Sequence, residues 1–212
     1  MKNFTLCLIL IAIVSVGCKK STFVPDPLDG DLPAYTESGN NTAGAYVNGD
    51  PWVDKASVGM EFHTNEALYI ANVNTAGVDS TVFYFNGTID KGALINTSVY
   101  INVVVKGLSL STPDDLIRLN DKKIVLDGIR NYVIINASTI STYYTVPKLE
   151  MNKKGTGEFY IKRTQVESHA TLGGNGPTHP IILSGTFNFD IGTTKITSGR
   201  FDIYFMRPFG QY

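Results

Sequence analysis

Few side chains in this 212-residue chain are equipped for chemistry: two cysteines, three histidines, and 19 carboxylates spread among 18 lysines and arginines. His63, His169 and His179 form no His-x-x-x-His pair and no Glu-containing zinc motif. His169 and His179 flank TLGGNGPT, which would have to fold back on itself to bring both rings to one ion; solvated loop histidines are the plainer reading. Gly173-Gly174-Asn175-Gly176 is followed by no Lys-Ser/Thr, and Pro177 removes a backbone donor, so it reads as a turn and not a phosphate cradle. Asp114 and Asp115 read as first-turn helix residues and not as a paired acid and base. A calcium loop would have to draw on regions such as those of Asp79 or Asp127. The sequence therefore predicts no catalytic residue, no cofactor and no metal. Its candidate ligand contact is Tyr143-Tyr144 in STYYTVPK, where two phenol rings could stack on sugar, although strand alternation would bury one and expose the other.

The thiols ask for a different chemistry. Met1-Lys2-Asn3 precede an apolar run from Phe4 to Val14, too short to span a ~30 Å hydrocarbon core, which needs about 20 residues. A secretory signal peptide over 1–17 fits better. Ser15-Val16-Gly17-Cys18 resembles a bacterial lipobox, with Ser15 where Leu is usual. The resemblance implies that Cys18 becomes the new N-terminus and carries lipid, each buried CH₂ adding about 0.8 kcal/mol of membrane affinity. Cys7 would leave with the signal, so the mature domain would hold no thiol for a disulfide or metal. The expected location is the outer membrane, because Lys19 is not the aspartate associated with inner-membrane retention. Lys19-Lys20-Ser21 also lacks the acidic signal of surface-displayed lipoproteins, which favours the periplasmic face.

Residues 18–42 carry three prolines and no sustained period, and they read as a flexible tether that would hold the domain roughly 25 to 30 Å away as a coil. Residues 43–212 then form one domain, within which 22 Tyr and Phe and 20 Gly in the whole chain favour strands and tight turns. Asn48-Gly49 predicts a type I′ hairpin, Pro51 a strand start, and Trp52 a core anchor. Further strands are expected over 67–73, 81–88, 97–106, 122–126, 132–137, 158–165, 181–190 and 195–205. One short helix is expected after Thr112, which can cap it, with Pro113 at its first position. With no helices to serve as crossovers, the sheet must be antiparallel: an all-β sandwich or closed barrel of about nine or ten strands.

Ser184-Gly185-Thr186-Phe187 and Ser198-Gly199-Arg200-Phe201 repeat each other 14 positions apart, each leading into alternation. Phe187, Phe189 and Ile191 should face the core with Phe201, Ile203 and Phe205, and the glycines should mark bulges or close backbone approaches. By the same alternation Asp202 should face solvent. The Val47-Asn48-Gly49-x-x-Trp52 hairpin, the Ser-Gly-Thr-Phe-x-Phe segment and Gly199-Arg200-Phe201-Asp202 together resemble a family of uncharacterised Bacteroidota lipoproteins, in which lipobox and tether precede one all-β domain. That resemblance implies location and architecture and carries over no catalytic residue. The near-neutral charge of -1, with no basic stripe, argues against nucleic acid as a partner. Two functions are expected from the residues: a non-enzymatic binding or scaffolding domain for a glycan or envelope protein, favoured because no carboxylate pair is visible, or a glycan hydrolase.

Overall fold

A computed structural model of the protein describes residues 23–54, 67–75, 77–90, 96–139, 149–166 and 180–205. The described residues fold as an antiparallel, nearly closed barrel of nine strands with one short helix. Its small N-terminal hairpin is β1 (Pro25–Asp26) and β2 (Asp29–Pro33). The barrel strands are β3 (Thr42–Val47), β4 (Asp50–Val53), β6 (Val78–Asp90), β7 (Asn96–Lys106), β8 (Lys122–Asp127), β9 (Asn131–Thr139), β10 (Thr156–Val166), β11 (Ile181–Ile191) and β12 (Thr194–Phe205). Around the wall the order is β8-β10-β11-β12-β3-β4-β6-β7-β9, and β5 (Leu68–Thr75) pairs with the first half of β6. Of the two architectures the sequence leaves open, the barrel is the one adopted.

The seam has its own construction. Because every neighbouring pair is antiparallel, alternation through nine strands leaves β8 and β9 running in the same direction. They follow one another across a bend at 128–130. The Asp127 carboxylate fixes it by accepting from the backbone N–H groups of Ile129, Arg130 and Asn131 at 2.8, 2.7 and 3.0 Å. Gly128 supplies the positive φ of 76° that the bend requires. β10 pairs with β8, and just before β10 begins, Gly155 bridges to Val133 of β9 and closes the ring.

Inside, the strands contribute a continuous apolar core, and its centre is a set of phenylalanine rings. Phe85 lies 5.1 Å from Phe187, 5.4 Å from Phe201 and 6.0 Å from Phe159, ring centre to ring centre, and Phe159 is 5.0 Å from Phe83. The repeated C-terminal motif makes room for this. Registered antiparallel, it pairs with itself, Gly185 opposite Phe201 and Phe187 opposite Gly199. A Cβ on Gly185 would fall 2.0 Å from the Tyr160 carbonyl oxygen and 2.7 Å from the Phe201 ring, and one on Gly199 would fall 2.2 Å from the Phe187 ring. Each glycine thus seats the ring of the other copy. Trp52 is the expected core anchor: its indole lies over Gly87 of β6 and donates to the Val99 carbonyl of β7 at 2.9 Å, joining three strands.

The segment between β7 and β8 lies over one mouth of the barrel. Asn72 of β5 accepts from the Leu110 N–H at 3.1 Å, and the Thr164 N–H of β10 donates to Asn120 at 2.9 Å. Between these pins runs the helix α1 (Pro113–Ile117), capped by Thr112 with Asp115 completing a capping box, and Leu110, Leu116 and Leu119 join the core.

Two expectations are corrected by the outer face of β12. Residues 23–42, read from the sequence as tether, lie against the wall: Leu32 is fully buried, and Pro33 packs so closely on Gly44 that a Cβ there would sit 2.4 Å away. Asp202, expected in solvent, is 1% exposed. Its carboxylate accepts from the N–H groups of Ser38, Gly39 and Asn40 at 3.2, 2.8 and 3.1 Å, and from the Thr36 hydroxyl. Arg200 binds Asp26 and the Pro33 carbonyl, and Asn41 accepts from the Tyr204 N–H at 2.7 Å. Alternation placed Asp202 on the outside correctly; what covers that outside is the N-terminal arm.

Two stability measurements follow from this packing. In denaturant melts Phe201→Ala should cost about 3 to 5 kcal/mol as a vacated core ring. Asp202→Ala should also destabilise, by about 1 to 3 kcal/mol, because it strands buried backbone donors; an unchanged midpoint would show that the arm is not held by this carboxylate. Separately, Gly185→Ala should lower the melting temperature by many degrees, whereas Gly30→Ala, where a Cβ meets nothing within 4 Å, should leave it nearly unchanged.

Candidate functional site

Cys18, Tyr143, Tyr144, His63, His169 and His179 lie outside the described residues. Among the candidates within them, Asp115 is committed to the helix N-terminus, where hydrogen bonds from the backbone N–H of Ser111 and from Thr112 hold its carboxyl below the usual range. Asp114 stands beside it in the same first turn. Asp79 accepts from the Asn74 side chain, and Asp127 is occupied by the bend. No cluster of three His, Cys, Asp or Glu is placed to hold a metal among the described residues, and no helix there is long and apolar enough to cross a membrane.

The interior offers a ligand little, because phenylalanine rings in mutual contact occupy its centre. The outer wall is different. Strands β5, β6, β7 and β9 lie side by side, and their register sets outward side chains in rows. One row reads Tyr69, Tyr84, Asn102 and Ile134; the next reads Asn86, Tyr100 and Asn136; Thr88 and Ser98 continue it on one side, and Ala71, Val82, Val104 and Tyr132 on the other. Inward neighbours Phe83, Phe85, Val99, Ile101, Val103, Val133 and Ile135 are all fully buried, so this face and the core are two sides of the same strands.

No outward residue in these rows carries a charge. Tyr69 and Tyr100 stand out, 40% and 39% exposed, while Tyr84 between them is half-buried and Val82 and Val104 are covered. The Tyr69 and Tyr84 rings approach to 5.7 Å at 36°, and burial first, then Tyr69, raises the Tyr84 phenol. Asn102 Oδ1 and Thr88 Oγ1 are buried without a hydrogen-bond partner. Charge returns only at the margin, where Lys106 follows Val104 on β7 and Lys154 lies 4.4 Å from the Tyr132 ring. Such a surface can stack on apolar ring faces and exchange hydrogen bonds with hydroxyls through carboxamides, which both donate and accept.

The sequence points to Tyr143-Tyr144 through the aromatic-polar segment STYYTVPK and does not single out Tyr69, Tyr84 and Tyr100, which stand alone in three different strands. A signal was present: the polar positions of these strands hold Tyr, Asn, Ser and Thr where a solvated face ordinarily holds Lys and Glu. Comparison with protein-family models, curated proteins and solved structures finds no match for the chain.

One carboxylate stands apart. Asp54, at the end of β4, has Oδ2 buried without a partner, and burial alone pushes it from 3.8 up to about 7. The native state therefore holds the proton more tightly than the unfolded chain, so this group costs nothing well below 3.8 and costs progressively more as pH rises toward 7. Asp54→Asn should accordingly raise the melting temperature at about pH 8 and have little effect near about pH 3. A difference that does not change with pH would place the carboxylate in water.

Proposed function

We propose that this protein is a non-enzymatic binding domain held at a membrane by lipid on Cys18, and that the Tyr-Asn wall of β5, β6, β7 and β9 takes an uncharged polysaccharide. The observation that carries the reading is the composition of that wall: four tyrosines, Tyr69, Tyr84, Tyr100 and Tyr132, and three asparagines on one sheet face, with no charged side chain in these rows. Rows on a strand repeat about every 7 Å and neighbouring strands lie about 4.8 Å apart, so several rings and amides meet a flat polymer at once. Charged polymers would find no counter-charge in these rows, and a protein partner would favour more apolar anchors and arginine.

The hydrolase alternative would draw on Asp54, a carboxylate raised toward neutrality. Burial is the cause of that shift, with no second carboxylate contributing, whereas the acid of a glycosidase works with a partner about 5 to 10 Å away. Binding without cleavage is the better-supported reading.

The test is binding of neutral and anionic polysaccharides, by affinity electrophoresis and calorimetry, together with assay of the same polymers for cleavage. At least one neutral polymer should bind and remain intact. Tyr69→Ala and Tyr100→Ala should each weaken it about tenfold, a loss of about 1.4 kcal/mol. Wild-type affinity in the Tyr69→Ala/Tyr100→Ala double variant would sink the assignment.

A further inference from the structure

We infer that the β1–β2 hairpin is a membrane-contact surface, and that the arm straps the barrel onto the lipid bilayer instead of letting it float on a tether. The inference rests on the lipid reading of Cys18. A coil over 18–42 would let the domain wander roughly 25 to 30 Å from its anchor. The arm is not free to do so. From Val24 onward it is fixed: the Val24 carbonyl accepts from the Ala34 N–H, Asp26 pairs with Arg200, and Leu32, Asn41 and Asp202 hold the rest to the barrel. Between Cys18 and Val24 stand only Lys19, Lys20, Ser21, Thr22 and Phe23. Even fully extended, that spacer reaches no farther than about 21 Å.

What the arm presents at its free side suits a bilayer. Leu28, in the turn between β1 and β2, is 98% exposed, with Phe23 at 43% and Val24 at 50%. An apolar side chain left in water at a hairpin tip contributes nothing to the fold, but it gains stabilisation once buried among acyl chains. Arg200 pairs with both Asp26 and Asp29 and offsets one of the three negative charges that Asp26, Asp29 and Asp31 give the hairpin, and Lys19 and Lys20 suit anionic headgroups. The geometry also orients the proposed binding wall. The arm lies on β12 and β3, and β7 is three strands beyond β3 in the ring, so the Tyr-Asn wall is carried on the side away from the lipid.

The experiment uses the full lipidated chain in liposomes of zwitterionic and anionic phospholipid, some containing acyl-chain quencher. Leu28→Cys and Val125→Cys, the latter 68% exposed on β8, are each labelled with an environment-sensitive fluorophore. The label at 28 should be blue-shifted and quenched several-fold more by the lipid quencher than the label at 125, which should stay accessible to aqueous iodide. Equal accessibility of the two labels on protein that floats with the liposomes would overturn the strap while leaving the anchor intact. Wild-type protein that fails to float, or a Cys18→Ser variant that floats as well as wild type, would overturn the anchor itself and the strap with it.

Discussion

The packing of phenylalanine rings against two glycines inside the barrel is the constraint on which the rest of the structure depends. Phe187 and Phe201 can both point inward on adjacent strands only because each faces a glycine of the opposite copy of the motif. A side chain at Gly185 or Gly199 would push the rings out of register and part β11 from β12. The register shift between Phe187 and Phe189, and the shift against β3 between Thr197 and Arg200, absorb the bend that this close approach imposes. Filling the centre in this way limits what the interior can hold. A barrel of this size could enclose a small ligand if its lining were small or polar. Here the lining is aromatic and in contact with itself, and its rings occupy the centre.

The outside is divided between two walls with opposite chemistry. On β12 and β3 the outward residues include Arg200, Asp202, Tyr204, Gly44 and Tyr46, and the arm engages each of them. On β5, β6, β7 and β9 they are uncharged, with tyrosine and asparagine set among Thr88, Ser98 and a few aliphatic side chains, and Tyr69 and Tyr100 stand well exposed. The Gly199-Arg200-Phe201-Asp202 segment shows how densely one strand can be used. Gly199 seats a ring, Arg200 and Asp202 grip the arm from outside, and Phe201 enters the core between them.

Much of this was legible in the sequence, for a local reason. Alternation, the Asn48-Gly49 turn with φ of 53° and 87°, and the Thr112-Pro113 start are decided by a few neighbouring residues. So the strands, the hairpin and the helix could be read before the structure. The arm could not. Its prolines and acidic residues look like those of a free linker until one sees that Asp202, more than 160 positions away, supplies the acceptor its backbone lacks. The Tyr-Asn wall was hidden for the same reason: it exists only through the register of four strands, and no pair of its tyrosines is adjacent in the chain. Tyr143 and Tyr144 stand out within STYYTVPK because sequence shows nearness along the chain and nothing of nearness across it.

The bend at 128–130 answers a problem of parity. A closed ring of antiparallel neighbours needs an even number of places, because directions must alternate all the way round, and nine strands cannot do so. The chain resolves this by giving β8 and β9 one place between them, end to end, so that β10 meets first one and then, through Gly155, the other. The circle is thereby completed in eight places without any parallel ladder. The resolution concentrates weakness in one line: where the two half-strands meet, the Asp127 carboxylate, the Gly155–Val133 bridge and two further backbone hydrogen bonds, Asn152 N–H to Ile135 and Gly128 N–H to Asn131, stand in for the long ladders found elsewhere. Thermal breathing of the wall should begin along that line, and the barrel is in this sense a sheet rolled up and fastened at one edge.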